Sequence, residues 1–326
     1  MARATKSVKE RPLLSIAITC YNAEGTIGRA VACALSQTWV PREVVVVDDG
    51  STDGSARLLS ELERTNDELR LIRHETNRGV AEARNTLLAD AKGTFIAFFD
   101  DDDESSPDRL EKQYQRLSDY ESNHRQATVL CYSNRVIVRA GDRRPGPEPV
   151  GIGRLEPAPA GPIVADYVLG LVKDDGRHSW GMLGSGTLMA RTDVLRDLGG
   201  FDARFRRCAE LDLAVRAALR GAHFISVDAP LVRQYLTPSV DKAGKADLRY
   251  RLLLLKKHKT YLKEQRSYVG AWCYMHAQFY CGHNWRWRLW YLAALVFFPW
   301  RLSRERLRQS SLLARLGLVP AHSAAR

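Results

Sequence analysis

The sequence predicts an α/β fold: a mixed, mostly parallel sheet flanked by helices, followed by a helical C-terminal extension. Three observations carry this. Short β-branched or aromatic runs alternate with segments of helical periodicity from Leu13 onward. Two of the runs, EVVVV and TFIAFF, empty without a spacer into aspartates, which places carboxylates at strand ends. Beyond Tyr235 the alternation gives way to helical patterns alone. At 326 residues the chain can hold one large domain with an appendage, or two domains, and 45% hydrophobic with 27% charged residues excludes a largely disordered chain.

Leu13 to Thr19 (LLSIAIT) reads as a buried strand closed by Cys20, Tyr21 and Asn22, and Ala23 to Leu35 has helical spacing. Glu43 to Val47 is a second strand, ending in Asp48 and Asp49. A helix from Gly54 to Glu63, a strand from Leu69 to His74 and a helix from Val80 to Ala91 follow, the last opened by Asn77-Arg78-Gly79. The central strand runs from Thr94 to Phe99 and releases Asp100, Asp101, Asp102 and Asp103. Pro107 suits a first helical position, with Ser105 or Ser106 as N-cap, for a helix to Leu117. Thr128 to Val138 is the next strand, and the prolines between Gly141 and Pro162 make a loop. Ile163 to Val172 is expected as a helix, His178 to Arg191 as loop then strand, Val194 to Leu198 as a short helix, and Ala209 to Arg220 as a helix with Gly221 as C-cap before a last strand.

Four consecutive carboxylates repel one another, and water or a cation must offset that cost. A hard-oxygen site for Mg²⁺ or Mn²⁺ that also carries a phosphate is one reading, and an acidic, solvated N-cap loop is the other. The loop after the first strand, TCYNAEG, is not GxGxxG, and GxxxxGK[ST] is absent. Glycine amides are therefore not the phosphate cradle. Carboxylates plus a cation are the substitute.

The net charge of +11 fits nucleic acid, an anionic membrane or an acidic substrate. No nucleic-acid fold signature accompanies it, so nucleic acid is not expected as a partner. Six cysteines without a CxxC pair, several inside apolar runs, read as reduced thiols of a cytoplasmic protein. The basic segment before Leu13 precedes an apolar run too short for a secretory signal, and residues 1–12 are taken as a tail.

Taken in order, SIAITCYNAEGTIGRAV, VVVVDDGSTDGS, NRGVAEARN, GTFIAFFDDDDESSPDRL, GSGTLMAR, LGGFD and AELDLAVRAALRG resemble the inverting glycosyltransferases of family 2, over roughly residues 13–235. The resemblance implies a GT-A-like fold and transfer of a sugar from a nucleotide-sugar donor to a hydroxyl. It implies nucleotide contacts from Thr19, Tyr21 and Asn22, a base contact from Asp48 or Asp49 with Asp49 favoured, and ribose or phosphate contacts from Arg78 and Arg84. A carboxylate accepting from an imide N–H suits uracil or thymine. The family's DxD motif falls on Asp100, Asp101 and Asp102, with Asp102 as ligand to Mn²⁺ or Mg²⁺ and Asp103 as the alternative by one register. The catalytic base falls on Glu210, with Asp212 as the alternative because Ala209 stands where the family has Glu. His178, Trp180 and Ser185 fall in the acceptor wall.

The C-terminal helical region, residues 236–326, contains the apolar run from Leu289 to Trp300 bounded by Arg286, Arg288, Arg301, Arg304, Arg306 and Arg308. Twelve residues are too few for a span of about 20. Tryptophans with flanking arginines suit the surface of an anionic inner leaflet, which would bring a peripheral enzyme to a cell-envelope glycan or lipid-linked acceptor. A dimer interface or a cap on the catalytic domain is the plainer use of such a helix. Two other functions compete: a sugar nucleotidyltransferase, whose glycine-rich basic first loop is missing, and a non-catalytic basic nucleic-acid-binding protein.

Overall fold

The computed structural model describes residues 11–139, 146–172, 175–236, 245–281 and 285–298. Its strands are β1 (Leu14–Cys20), β2 (Arg42–Asp48), β3 (Leu69–Arg73), β4 (Phe95–Asp100), β5 (Glu104–Ser105), β6 (Val129–Val138), β7 (Met189–Arg191) and β8 (His223–Tyr235). They form one sheet in the order β3-β2-β1-β4-β7-β6-β8-β5. The first four pair in parallel, β7 runs antiparallel to β4 and β6, and β6 pairs in parallel with β8.

Alternation along each strand divides the interior. Ala17, Val45, Val47, Ile96 and Phe98 point into one apolar cluster, while Ile16, Ile18, Val44, Val46, Ala97 and Phe99 point into the other. Both faces of the sheet are covered, as the unbroken apolar runs require. The second cluster takes α1 (Ile27–Leu35), α2 (Ser55–Thr65) and α4 (Arg109–Asn123). The first takes α3 (Val80–Asp90), α5 (Pro162–Val168), α6 (Thr192–Asp197) and α7 (Ala209–Leu219). Each fully buried Leu, Ile or Phe contributes about 1.5–3 kcal/mol.

Register brings the acidic ends level. Cys20 pairs with Asp48, and Thr19 with Asp100, so β1, β2 and β4 finish together at one edge of the sheet. The chain past β4 differs from the simple strand-to-helix loop expected. Glu104 and Ser105 pair antiparallel with Arg233 and Val232, and Ser106 N–H donates to the Leu231 carbonyl. After a turn at Asp101–Asp102 the chain is therefore extended again through Ser106, and α4 starts at Arg109 with Asp108 as N-cap rather than a serine before Pro107. Likewise α1 starts at Ile27, because Thr26 and Ile27 N–H both donate to the Ala23 carbonyl in a turn.

Past β8 the chain forms α8 (Lys245–Lys257), α9 (Lys259–Glu264), α10 (Tyr268–Tyr280) and α11 (Arg286–Phe297). α8 and α9 are separated at His258, the N-cap of α9. Leu254, Leu255, Leu262, Ala271, Met275 and Phe298 join the same apolar cluster as α7. No described helix is long and apolar enough to cross a membrane. Arg301, Arg304, Arg306 and Arg308 lie outside the described residues.

Candidate active site

One cavity of about 910 Å³ opens above the carboxyl ends of β1, β2 and β4, where open α/β sheets bind ligands. Thr19, Tyr21, Asp49, Arg84, Asp100, Asp101, Asp102, Ser185 and Glu210 all line it. Asn22, Asp48, Arg78, Asp103, His178, Trp180 and Asp212 do not. Asp49 and Asp102 therefore share one cleft.

The wall nearest β2 is rigid. The Asp49 carboxylate accepts from His74 Nδ1 at 2.6 Å, Arg78 N–H at 3.0 Å and Gly79 N–H at 2.8 Å. A carboxylate has about four lone-pair sites, so one remains for a ligand N–H. Gly50, with φ +74°, packs so closely on the Thr76–Asn77 backbone that no Cβ fits, which clamps the two loops that carry these contacts. Asp48 is fully buried beneath them, accepting from Ser51 N–H at 3.1 Å, and Asn22 accepts from Thr52 N–H at 2.8 Å. Both residues shape the loops. The Arg78 side chain points away to Glu82 at 3.6 Å, while exposed Tyr21 stands at the cavity wall.

The four consecutive aspartates diverge. Asp100 lies 3.5 Å from buried Arg84, and Gly186 packs so tightly on its carboxylate that a side chain there would collide with it. Asp101 accepts from Tyr21 N–H at 3.3 Å. Burial, then the charges of Asp102 and Asp100, push its carboxyl up to about 7. Asp103 turns inward to accept from Tyr235 N–H at 3.0 Å, and burial and the charges of Asp100 and Asp102 push it up as well. Asp102 stays at the cavity wall while its carbonyl accepts from Arg29 at 2.7 Å. Arg109, unassigned by sequence, is fully buried behind the cluster. It donates to the Phe98 carbonyl at 2.9 Å and Ser105 at 3.0 Å, and although burial lowers its pKa to about 10, Asp100 and Asp103 favour its charge.

Among the described residues no three His, Cys, Asp or Glu side chains converge on a point that could hold a metal by themselves. A Mg²⁺-type ion is commonly held by one or two carboxylates completed by substrate phosphate oxygens. Asp102, beside the mutually repelling Asp100 and Asp101, fits that donor set.

Glu210 lines the same cavity from the first turn of α7. Cys208, the residue before that helix, is held at φ +63° and ψ +15°, a left-handed conformation that costs a non-glycine residue about 1–3 kcal/mol. Burial and then the Glu210 charge push its thiol up to about 12. Asp212 behaves differently. It is fully buried and accepts from His258 Nε2 at 2.9 Å, Lys257 Nζ at 2.7 Å and Arg216 Nε at 2.8 Å, so it ties α8 to α7.

In the segment expected as the acceptor wall, His178 Nδ1 contacts Asp175 at 2.5 Å and Trp180 Nε1 donates to Asp175 at 3.1 Å. Trp180 stacks on Tyr167, ring centroids 4.5 Å apart, and Tyr167 is the ring that reaches the cavity. Arg135 was also unforeseen. A bulge at Ser133–Arg135 in β6 turns it into the cleft, where burial lowers its pKa and Asp100, Asp103 and Glu210 oppose that shift.

The sheet order and the cleft at its strand ends define a GT-A-like architecture. Residues 15–146 match the family model described as Glycosyl transferase family 2. An uncharacterized glycosyltransferase of Haemophilus influenzae is 38% identical over 102 residues, 31% of this chain and 41% of its own length. The amylovoran biosynthesis glycosyltransferase AmsB of Erwinia amylovora is 24% identical over 258 residues, 78% of this chain and 80% of its own length. The alignments with the first two curated relatives span 41% of their length. The crystal structure of S. aureus TarS 1-349 in complex with UDP-GlcNAc superposes with a TM-score of 0.58 at 18% identity, covering 94% of this chain and 88% of that one. That likeness concerns the fold.

Proposed function

We propose that the protein is a metal-dependent inverting glycosyltransferase that moves one sugar from a UDP-sugar to a hydroxyl of a cell-envelope glycan or glycolipid. The observation that carries this is the single cleft lined by Asp49, Asp100–Asp102 and Glu210 together. Asp49 would take the uracil N–H with its remaining lone pair, and Tyr21 would cover the base. Asp102 would hold Mn²⁺ or Mg²⁺, which supplies charge stabilisation to the departing diphosphate. Glu210 accepts the proton of the acceptor hydroxyl as its oxygen bonds to the anomeric carbon, and the nucleoside diphosphate leaves with the electron pair of the broken C–O bond. Names of relatives that refer to amylovoran and succinoglycan biosynthesis support a glycan product, and the UDP-GlcNAc complex of the structural neighbour supports the donor.

UDP release from UDP-GlcNAc that requires Mn²⁺ is the expected result with purified protein, and Asp102→Asn should abolish the gain in UDP affinity that Mn²⁺ brings. Pyrophosphate as the released product would instead favour a nucleotidyltransferase. The loop after β1 lacks the glycine-rich basic sequence such an enzyme uses.

The same proposal places the enzyme on the inner face of the membrane. Trp285, the N-cap of α11, and Leu289, Leu292 and Val296 on the helix are all exposed at helical spacing, and Val296 is 76% exposed. Exposed Arg286 and Arg288 accompany the stripe, so an anionic bilayer matches both its apolarity and its charge. Co-sedimentation with phosphatidylglycerol vesicles, lost in Leu289→Glu/Val296→Glu and absent with phosphatidylcholine, is expected. Equal pelleting of wild type and variant would refute the contact.

A further inference from the structure

We infer that the end of the cleft beyond Glu210 is an anion-binding subsite, so that the acceptor carries a phosphate or carboxylate near its reacting hydroxyl. This rests on the glycosyl-transfer reading above.

Besides its acids and Arg84, the cavity is lined by Arg135 on β6, within electrostatic reach of Asp100, Asp103 and Glu210, by Arg206 and Arg207 before α7, and by Arg251 on α8. Guanidinium groups left without partners raise the free energy of the empty cleft, and an oxyanion bound among them relieves it.

Arg251 pairs with Asp247 at 2.8 Å, but the other three have few partners. Arg206 is exposed and Arg207 half-buried, and neither makes a side-chain hydrogen bond or ion pair among the described residues. Arg135 Nε is buried with no hydrogen-bond partner among those residues, and its Nη2 meets only the Met182 sulfur at 3.1 Å, a weak acceptor. Guanidinium forks match phosphate and carboxylate oxygens in paired hydrogen bonds. A neutral sugar would leave them to water.

Placement separates this subsite from the donor. The diphosphate belongs beside Asp100–Asp102, where the cation would sit, and the arginine there, Arg84, already lies against Asp100 at 3.5 Å. Arg206 and Arg207 precede Glu210 in the chain and join α7 through the left-handed Cys208. An anion on them would set the acceptor hydroxyl against the base.

Calorimetry on the full chain saturated with UDP and Mn²⁺ tests this with three probes of one shape: octyl glucoside 6-phosphate, octyl glucuronide and octyl glucoside. The anionic probes are expected to bind at least about tenfold tighter than octyl glucoside, equivalent to about 1.4 kcal/mol. That advantage should shrink in high salt and disappear in Arg206→Ala/Arg207→Ala, with UDP affinity unchanged. Whichever anionic probe binds tighter identifies the charged group. Equal affinity for all three probes, or an advantage that survives in the double variant, overturns the inference. Failure of UDP itself to bind would count against the transferase reading, and the probe comparison on the unloaded protein would still decide the subsite.

Discussion

Glu210→Gln is expected to lower the rate of sugar transfer by about 10²–10⁴-fold, the range that general base catalysis supplies, with UDP binding unchanged. The amide keeps the shape of the side chain and loses only its ability to accept the hydroxyl proton. Glu210 lies in the first turn of α7, where the helix dipole favours a negative charge, and it lines the same cavity as the aspartates. Binding of the nucleotide draws on Asp49 and Asp102, so Kd and kcat should separate. Full transfer activity in this variant would remove Glu210 from the reaction.

Asp212→Ala is expected to destabilise the protein by about 3–5 kcal/mol, the usual cost of breaking a buried ion pair and leaving its partners uncompensated. Lys257, His258 and Arg216 all converge on this one carboxylate, and Lys257 and His258 close α8. The variant should therefore melt lower and lose the docking of α8 first, seen as faster amide exchange through residues 245–257. Burial alone would push the Asp212 carboxyl up, yet His258, Lys257 and Arg216 together hold it below the usual range. A depressed folded-state pKa means a contribution present above the unfolded value, about 3.9, and lost as pH falls through the folded one. The melting gap between wild type and variant should accordingly narrow in acid. A variant as stable as wild type at neutral pH would show that Asp212 does not hold α8.

These two residues show where sequence stops being informative. Residues i and i+2 on an α-helix are about 200° apart, so Glu210 and Asp212 necessarily look in different directions. Which one meets the cleft depends on how α7 rolls against the sheet and on α8, whose last residues grip Asp212. Spacing carries none of that. The same holds for Asp100–Asp103: β4 ends at Asp100 and the chain turns at Asp101–Asp102, and only coordinates tell that Asp103 turns back to Tyr235 while Asp102 stays at the wall.

The sheet was legible because its strands are short apolar runs that terminate in unmistakable acidic or turn residues, as at Val47–Asp48 and Phe99–Asp100. Arg135 was not, since a bulge in β6 aims it and a bulge leaves no mark in residue type. Trp180 drew attention as the larger ring of the acceptor segment, but its indole N–H is taken by Asp175 and its face by Tyr167, which is the ring exposed to the cavity. Arg109 lacked any signal beyond a place in the helix after Pro107.

The most direct measurement is a crystal structure of the protein with UDP-GlcNAc and Mn²⁺. The account predicts uracil against Asp49, the diphosphate and ion beside Asp102, and the anomeric carbon turned toward Glu210, all within the one cleft. A nucleotide seated on any other face, or in the cleft with its sugar directed away from Glu210, would contradict it.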